Sequence, residues 1–111
     1  MRIIEAGPDQ GHAITHHGSH GMMAQSLVRA DAVAVTVLRV AAGGEIGRHP
    51  TIVDQLFLVV AGRGQVCGGD EVWHGIAAGQ AAVWTAGELH TTRATEDLVA
   101  VVVEMPNLPL V

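Results

Sequence analysis

The fold this sequence predicts is all-β, a jelly-roll barrel or double-stranded β-helix, and three features predict it. Short apolar segments of strand length recur over the last two thirds of the chain and are separated by glycine-containing turns. Two segments carry glycines at fixed distances from a histidine, the arrangement by which a small barrel brings side chains from separate strands to one interior point. No stretch longer than a turn or two has helical periodicity with caps, and the markers of an immunoglobulin-like sandwich are missing.

Residues 33–40 alternate β-branched residues and read as a half-buried strand, which Ala42-Gly43-Gly44 is expected to end. Gln55–Ala61 is apolar on both faces, a strand covered by the barrel core on one side and by a packed partner on the other. A hairpin turn is expected at Gly62-Arg63-Gly64. Segments 65–67 and 71–76 flank Gly68-Gly69-Asp70, the loop of a second hairpin. Segments 80–84, Leu89–Ala94 and Leu98–Glu104 continue the rhythm. With N-terminal strands or an arm from residues 1–31, about eight strands are expected in one domain spanning 1–111. Pro106 and Pro109 exclude regular structure from the last seven residues, an apolar tail suited to lie against something.

Composition narrows the function classes. The basic residues are six scattered arginines and the formal net charge is −5, so no phosphate-binding stripe exists and nucleic acid is not an expected partner. The longest apolar runs are strand length and residues 1–9 hold no apolar signal-like run, so no membrane partner is expected and the localisation expected is cytoplasmic. Cys67 is alone, which rules out an internal disulfide. A lone cysteine serves as a buried filler more often than as a nucleophile.

The two histidine segments are Gly43-x5-His49-x-Thr51-x3-Gln55-x6-Gly62 and, sixteen residues on, Gly79-x5-Thr85-x-Gly87-x2-His90. Their spacing resembles the two-part signature of the cupin superfamily, with motif one over about 43–62 and motif two over about 79–94. That signature has two histidines one residue apart, a glutamate four residues later, and a proline-x-glycine-x-x-histidine in its second part. Thr51 stands in place of the second histidine, Gln55 in place of the glutamate and Thr85 in place of the proline. The resemblance implies a small RmlC-like jelly roll and a homodimer packed through its apolar outer sheet; the face Leu56, Leu58 and Val60 supports the latter from the sequence itself.

The resemblance also implies a metal set of His49, Gln55 and His90, which would hold a divalent transition metal such as Fe, Ni, Mn or Zn, in an oxygenase or isomerase of unspecified substrate. An amide in place of the carboxylate removes a negative charge and an obvious general base, so metal affinity is expected to fall. Alternation puts Gln55, Phe57 and Val59 on one face, so Phe57 and Val59 are expected to line the pocket with Thr51, whose hydroxyl is a poor metal ligand. Asp54 is sent to the opposite face. Glu88 either contacts a ligand or orients a histidine at the barrel mouth, or is a solvated turn carboxylate. Trp84 either narrows the pocket or covers the outer core. The cluster His12, His16, His17 and His20 lies on a strand edge or mobile segment, because Gly18 and Gly21 disfavour a helix.

Three roles follow: a metal-dependent cupin enzyme; a non-catalytic module binding a small molecule where the metal site has decayed; or a structural role through the dimer surface. The last is the weakest, because four buried polar groups without partners are costly.

Overall fold

The computed structural model describes all 111 residues. Nine strands follow one another: β1 (His12–Ile14), β2 (His20–Arg29), β3 (Ala34–Pro50), β4 (Gln55–Ala61), β5 (Arg63–Cys67), β6 (Trp73–Ala77), β7 (Ala81–Trp84), β8 (Leu89–Ala94) and β9 (Leu98–Glu104). The only helical element is a 3-10 turn at His16–Gly18. All pairings are antiparallel, in the order β6-β5-β8-β3-β9-β4-β7, with β1 and β2 added beside β3. The two ends of that path, β6 and β7, do not pair, so the jelly-roll barrel is nearly closed.

The expected strand at 33–40 does not end at Gly43-Gly44 but runs on to Pro50. Its first half pairs with β9, from Ala34↔Glu104 to Val40↔Leu98, and its second half pairs with β8, from Glu45↔Arg93 to Pro50↔Leu89. The glycines that were expected to stop the strand bend it instead. Gly43 has φ +81°, and a Cβ on Gly44 would sit 2.8 Å from the carbonyl oxygens of Ala41 and His20, so this corner needs glycine. One strand therefore joins the ladder with β9 to the ladder with β8.

The segment Gly62-Arg63-Gly64 is likewise not a hairpin. β4 pairs with β7 and β9, β5 pairs with β6 and β8, and the turn between them carries the chain across the barrel. The sequence signal was a glycine-rich stop, which is the same for a hairpin as for a change of sheet. The hairpin across Gly68-Gly69-Asp70 forms as expected between β5 and β6.

The barrel interior is filled by alternate residues of the central strands. Phe57 and Val59 of β4, and Leu98, Ala100 and Val102 of β9, join Val40, Ile46 and Trp84 in one buried cluster. Each large aliphatic or aromatic side chain so buried contributes about 1.5–3 kcal/mol. The opposite residues of the same strands, Leu56 and Leu58, Val101 and Val103, and Val35 and Val37, meet in register on the outer face, where most of them are only partly covered. The C-terminal tail is tied down by Asp54, whose carboxylate accepts the Leu108 amide at 3.1 Å and the Ala86 amide at 2.9 Å. Residues near the N-terminus cross β2 and β3, where the Gln25 side chain donates to the Glu5 carbonyl and the Arg39 guanidinium to that of Ala6.

Gly62 has φ +75° and a Cβ there would overlap the carbonyl of Asp97, so Gly62→Ala is expected to destabilise the protein by about 2–3 kcal/mol in urea unfolding, with the native spectrum retained below the transition.

Candidate functional site

Because the second half of β3 pairs with β8, His49 and His90 are direct cross-strand partners. Their rings lie 4.3 Å apart between centroids, tilted by 52°. Gln55, at the start of β4, is buried and lines the same cavity as the two histidines. These three residues line a cavity of about 170 Å³ at one end of the barrel. Its other polar groups are Thr36, Thr92 and Glu104, and its apolar wall includes Phe57, Leu38, Ile46 and Val102.

The two imidazoles differ in their bonding. Nδ1 of His49 lies 2.7 Å from the carbonyl oxygen of Gly47. A carbonyl only accepts, so Nδ1–H donates, and it is the Nε2 of this ring that the bond leaves free. His90 is only 4% exposed, and its Nε2 is buried with no hydrogen-bond partner. A buried polar atom left in that state costs about 1–3 kcal/mol. Burial, and secondarily the neighbouring His49, lower the His90 pKa from 6.5 to about 4, partly opposed by Glu88, so the ring is neutral at physiological pH.

Trp84 turns inward. Its indole packs on His90 at 4.4 Å and edge-on to Phe57 at 5.8 Å, walling the histidine cavity off from a larger, more open one of about 450 Å³ between the unpaired edges of β6 and β7. Glu88 lines that second cavity, not the first. Its carboxylate accepts the amides of Gly69 at 3.0 Å and Thr85 at 3.1 Å, joining two loops. Thr51 is buried, and its hydroxyl donates to the Glu88 carbonyl at 2.8 Å while its own backbone bonds Glu88 and Gly87. It fastens the end of β3 to the β7–β8 loop and does not line the histidine cavity. Val59 is fully buried deeper in the core. The structure thus brings together His49, Gln55, His90 and Phe57, and sets Thr51, Val59 and Glu88 around them.

Two residues join the site that the motif spacing does not indicate. His17 stacks on His49 with centroids 4.6 Å apart and planes within 7°. The 3-10 turn holds it there with φ +59°, a left-handed conformation uncommon for a non-glycine residue. The turn can approach β3 so closely because Gly47 has no side chain: a Cβ there would overlap the His17 carbonyl, and the Gly47 amide donates to the buried Ser19 hydroxyl at 2.9 Å. The other addition is Glu104, the last residue of β9, which pairs directly with Gln55. Its position was legible in the parity of the strand, since Leu98, Ala100 and Val102 face inward and Glu104 continues that face.

For a divalent ion the cavity offers the neutral imidazole of His90, the Nε2 of His49 and the Gln55 amide. No three His, Cys, Asp or Glu side chains converge in a geometry that would hold a metal. The anionic third ligand that usually accompanies two imidazoles is not assembled, so the residues do not complete a metal set in this arrangement. Cys67 is buried, with its thiol against the neighbouring Gly68 carbonyl. No helix is long and apolar enough to cross a membrane.

A nearly closed jelly roll with paired histidines at one end defines a class of small single-barrel proteins. The cupin domain family model matches residues 36–106, and the chain belongs to the cupin family. It is similar to a conserved protein of unknown function from Streptococcus pyogenes, at 28% identity over 81% of this chain and 76% of that one, with a TM-score of 0.71. The polyketide cyclase RemF from Streptomyces resistomycificus shares the fold over 100% of this chain and 87% of its own, with a TM-score of 0.81 and 17% identity. An RmlC-like cupin from Methanocaldococcus jannaschii does so over 96% and 91%, with a TM-score of 0.75 and 14% identity. No curated protein matches the sequence.

The His90 shift sets a pH dependence. Above pH 6.5 the ring is neutral in both folded and unfolded chains; between 6.5 and about 4 only the unfolded chain takes up the proton. Stability from this residue is therefore present above 6.5 and lost as the pH falls towards 4, at up to about 1.4 kcal/mol per unit. Urea unfolding at several pH values is expected to show a shallower decline for His90→Gln than for the natural protein.

Proposed function

We propose that this protein is a cupin that binds a small polar molecule in the cavity lined by His49, Gln55, Phe57 and His90, without requiring a metal. The observation that carries this reading is the buried Nε2 of His90, which has no partner within the protein and lines a cavity with the hydrogen-bonding groups of His49, Gln55, Thr36, Thr92 and Glu104. A ligand that bonds this nitrogen removes the cost of leaving it unpaired, while Phe57 and its aliphatic neighbours cover the apolar part. Thr51, Val59 and Glu88 act on the site indirectly, by fixing the strand end, the core beneath and the loops beside it.

A second reading is favoured by the same orphaned nitrogen together with the free Nε2 of His49: a divalent transition metal held by His49 and His90, with Gln55 as a neutral third donor, in an enzyme of oxygenase or isomerase type. One experiment separates the two. Chelator-treated protein with His12, His16 and His20 replaced is screened against small polar molecules by thermal shift and titrated with Mn, Fe, Ni and Zn. Stabilisation by a small molecule that persists with chelator present and is lost in His49→Ala is the expected result. Stoichiometric metal that disappears in His49→Ala, with no metal-free ligand response, would replace the first reading by the second.

We further assign a second copy of this chain to the outer face of Leu56, Leu58, Val101 and Val103, whose aliphatic side chains lie in register and only partly covered across adjacent strands. Light scattering is expected to give a dimer mass, and Val101→Glu a monomer. A monomeric natural protein at micromolar concentration would refute the assignment.

A further inference from the structure

Glu104 changes the charge of the cavity in a way that the cupin motif positions do not. It ends β9 directly opposite Gln55, on the inward face continued from Val102, and it lines the cavity with both histidines. The protein's ion pairs are Arg48–Glu71, Arg63–Glu96, Arg93–Glu45 and His74–Asp70, and Glu104 takes part in none. No arginine lines the cavity, and the sequence contains no lysine, so no side chain of fixed positive charge faces this carboxylate there. His90 is neutral. The cavity therefore carries one unneutralised negative charge beside a buried nitrogen that lacks a partner.

We propose that Glu104 is the charge-selecting residue of this cavity, and that the ligand is a small amine whose ammonium group meets the Glu104 carboxylate while a polar or apolar remainder lies towards His90 and Phe57. The inference rests on the small-molecule reading of the site given above. A carboxylate ligand is disfavoured by the same charge, because it would be brought beside Glu104 with no cation to offset the repulsion. The cavity of about 170 Å³ lies well below the 300–1,000 Å³ that suits drug-sized ligands, which restricts the amine to a few carbon atoms. Gln55, cross-strand from Glu104, presents an amide oxygen to the same ammonium, so the amide that stands in the motif's carboxylate position acts as a neutral acceptor next to a relocated charge.

The test uses three probes of nearly one shape, isobutylamine, isobutyramide and isobutyrate, each titrated in the presence of chelator. Binding is followed by thermal shift and by the imidazole proton resonances of His49 and His90. In the natural protein isobutylamine is expected to bind best and isobutyrate least. Glu104→Gln, nearly isosteric and checked for native circular dichroism, is expected to weaken the amine at least tenfold while leaving the amide within about twofold. Gln55→Glu, which adds a second carboxylate, is expected to strengthen the amine and provides an independent arm if Glu104→Gln is poorly folded. Equal amine binding in the natural protein and Glu104→Gln, or preference of the natural protein for isobutyrate, overturns the charge assignment but leaves the cavity as a ligand site. Absence of any response, with the histidine resonances unmoved by all three probes, overturns the cavity reading and the charge assignment with it.

Discussion

One strand joins two separate ladders of the barrel, and the positions of the remaining elements follow from it. β3 pairs with β9 through residue 40 and with β8 from residue 45, and the corner between is made by Gly43, with φ +81°, and Gly44, where a side chain would strike backbone carbonyls. A break at this corner would leave two hydrogen-bonded ladders free to slide against each other. A continuous strand fixes their relative register, so the core residues of β4 and β9 face Ile46 of β3's second half and close one interior. The same continuity carries His49 to the position opposite His90.

His90 is placed in an environment that keeps it uncharged. His90 is enclosed by Trp84 on one side and His49 on the other, and its pKa falls because charging it would require desolvating a cation and placing it beside a second imidazole. His49 is oriented by the Gly47 carbonyl and covered by His17. Gly47 thus serves twice: its carbonyl orients the ring, and its missing side chain admits the turn that covers it. The result is two ring nitrogens with different availability, the Nε2 of His49, which the bond at Nδ1 leaves free, and the Nε2 of His90, buried without a partner, suited to a ligand that can bond both.

Around this pair, residues close in sequence serve different structural tasks. Thr51, Asp54 and Glu88 bond backbone amides or carbonyls of neighbouring loops, with Asp54 reaching both the β7–β8 loop and the C-terminal tail. Their polar groups are occupied in holding the mouth of the barrel together. Glu104 has no such engagement among the ion pairs, although its strand looks uniformly apolar up to that residue.

The sequence by itself determined the strands from Gln55 onward to within two residues at either end, since alternation and glycine stops are local properties of the chain, and it determined that His49, Gln55 and His90 sit at motif spacing. It also placed Phe57 and Val59 on one face, by parity alone. Only the tertiary structure decided whether a glycine ends a strand or bends it, because Gly43-Gly44 and Gly62 present the same local signal and differ in which strands are waiting on either side. Only it decided that Trp84 points inward, that Thr51 and Glu88 face backbone rather than the histidine cavity, and that His17 and Glu104 reach the site from opposite ends of the chain. The reason is physical: periodicity along a strand tells which face a side chain takes, while what that face meets is set by pairing between segments far apart in sequence, and that pairing has no local signature.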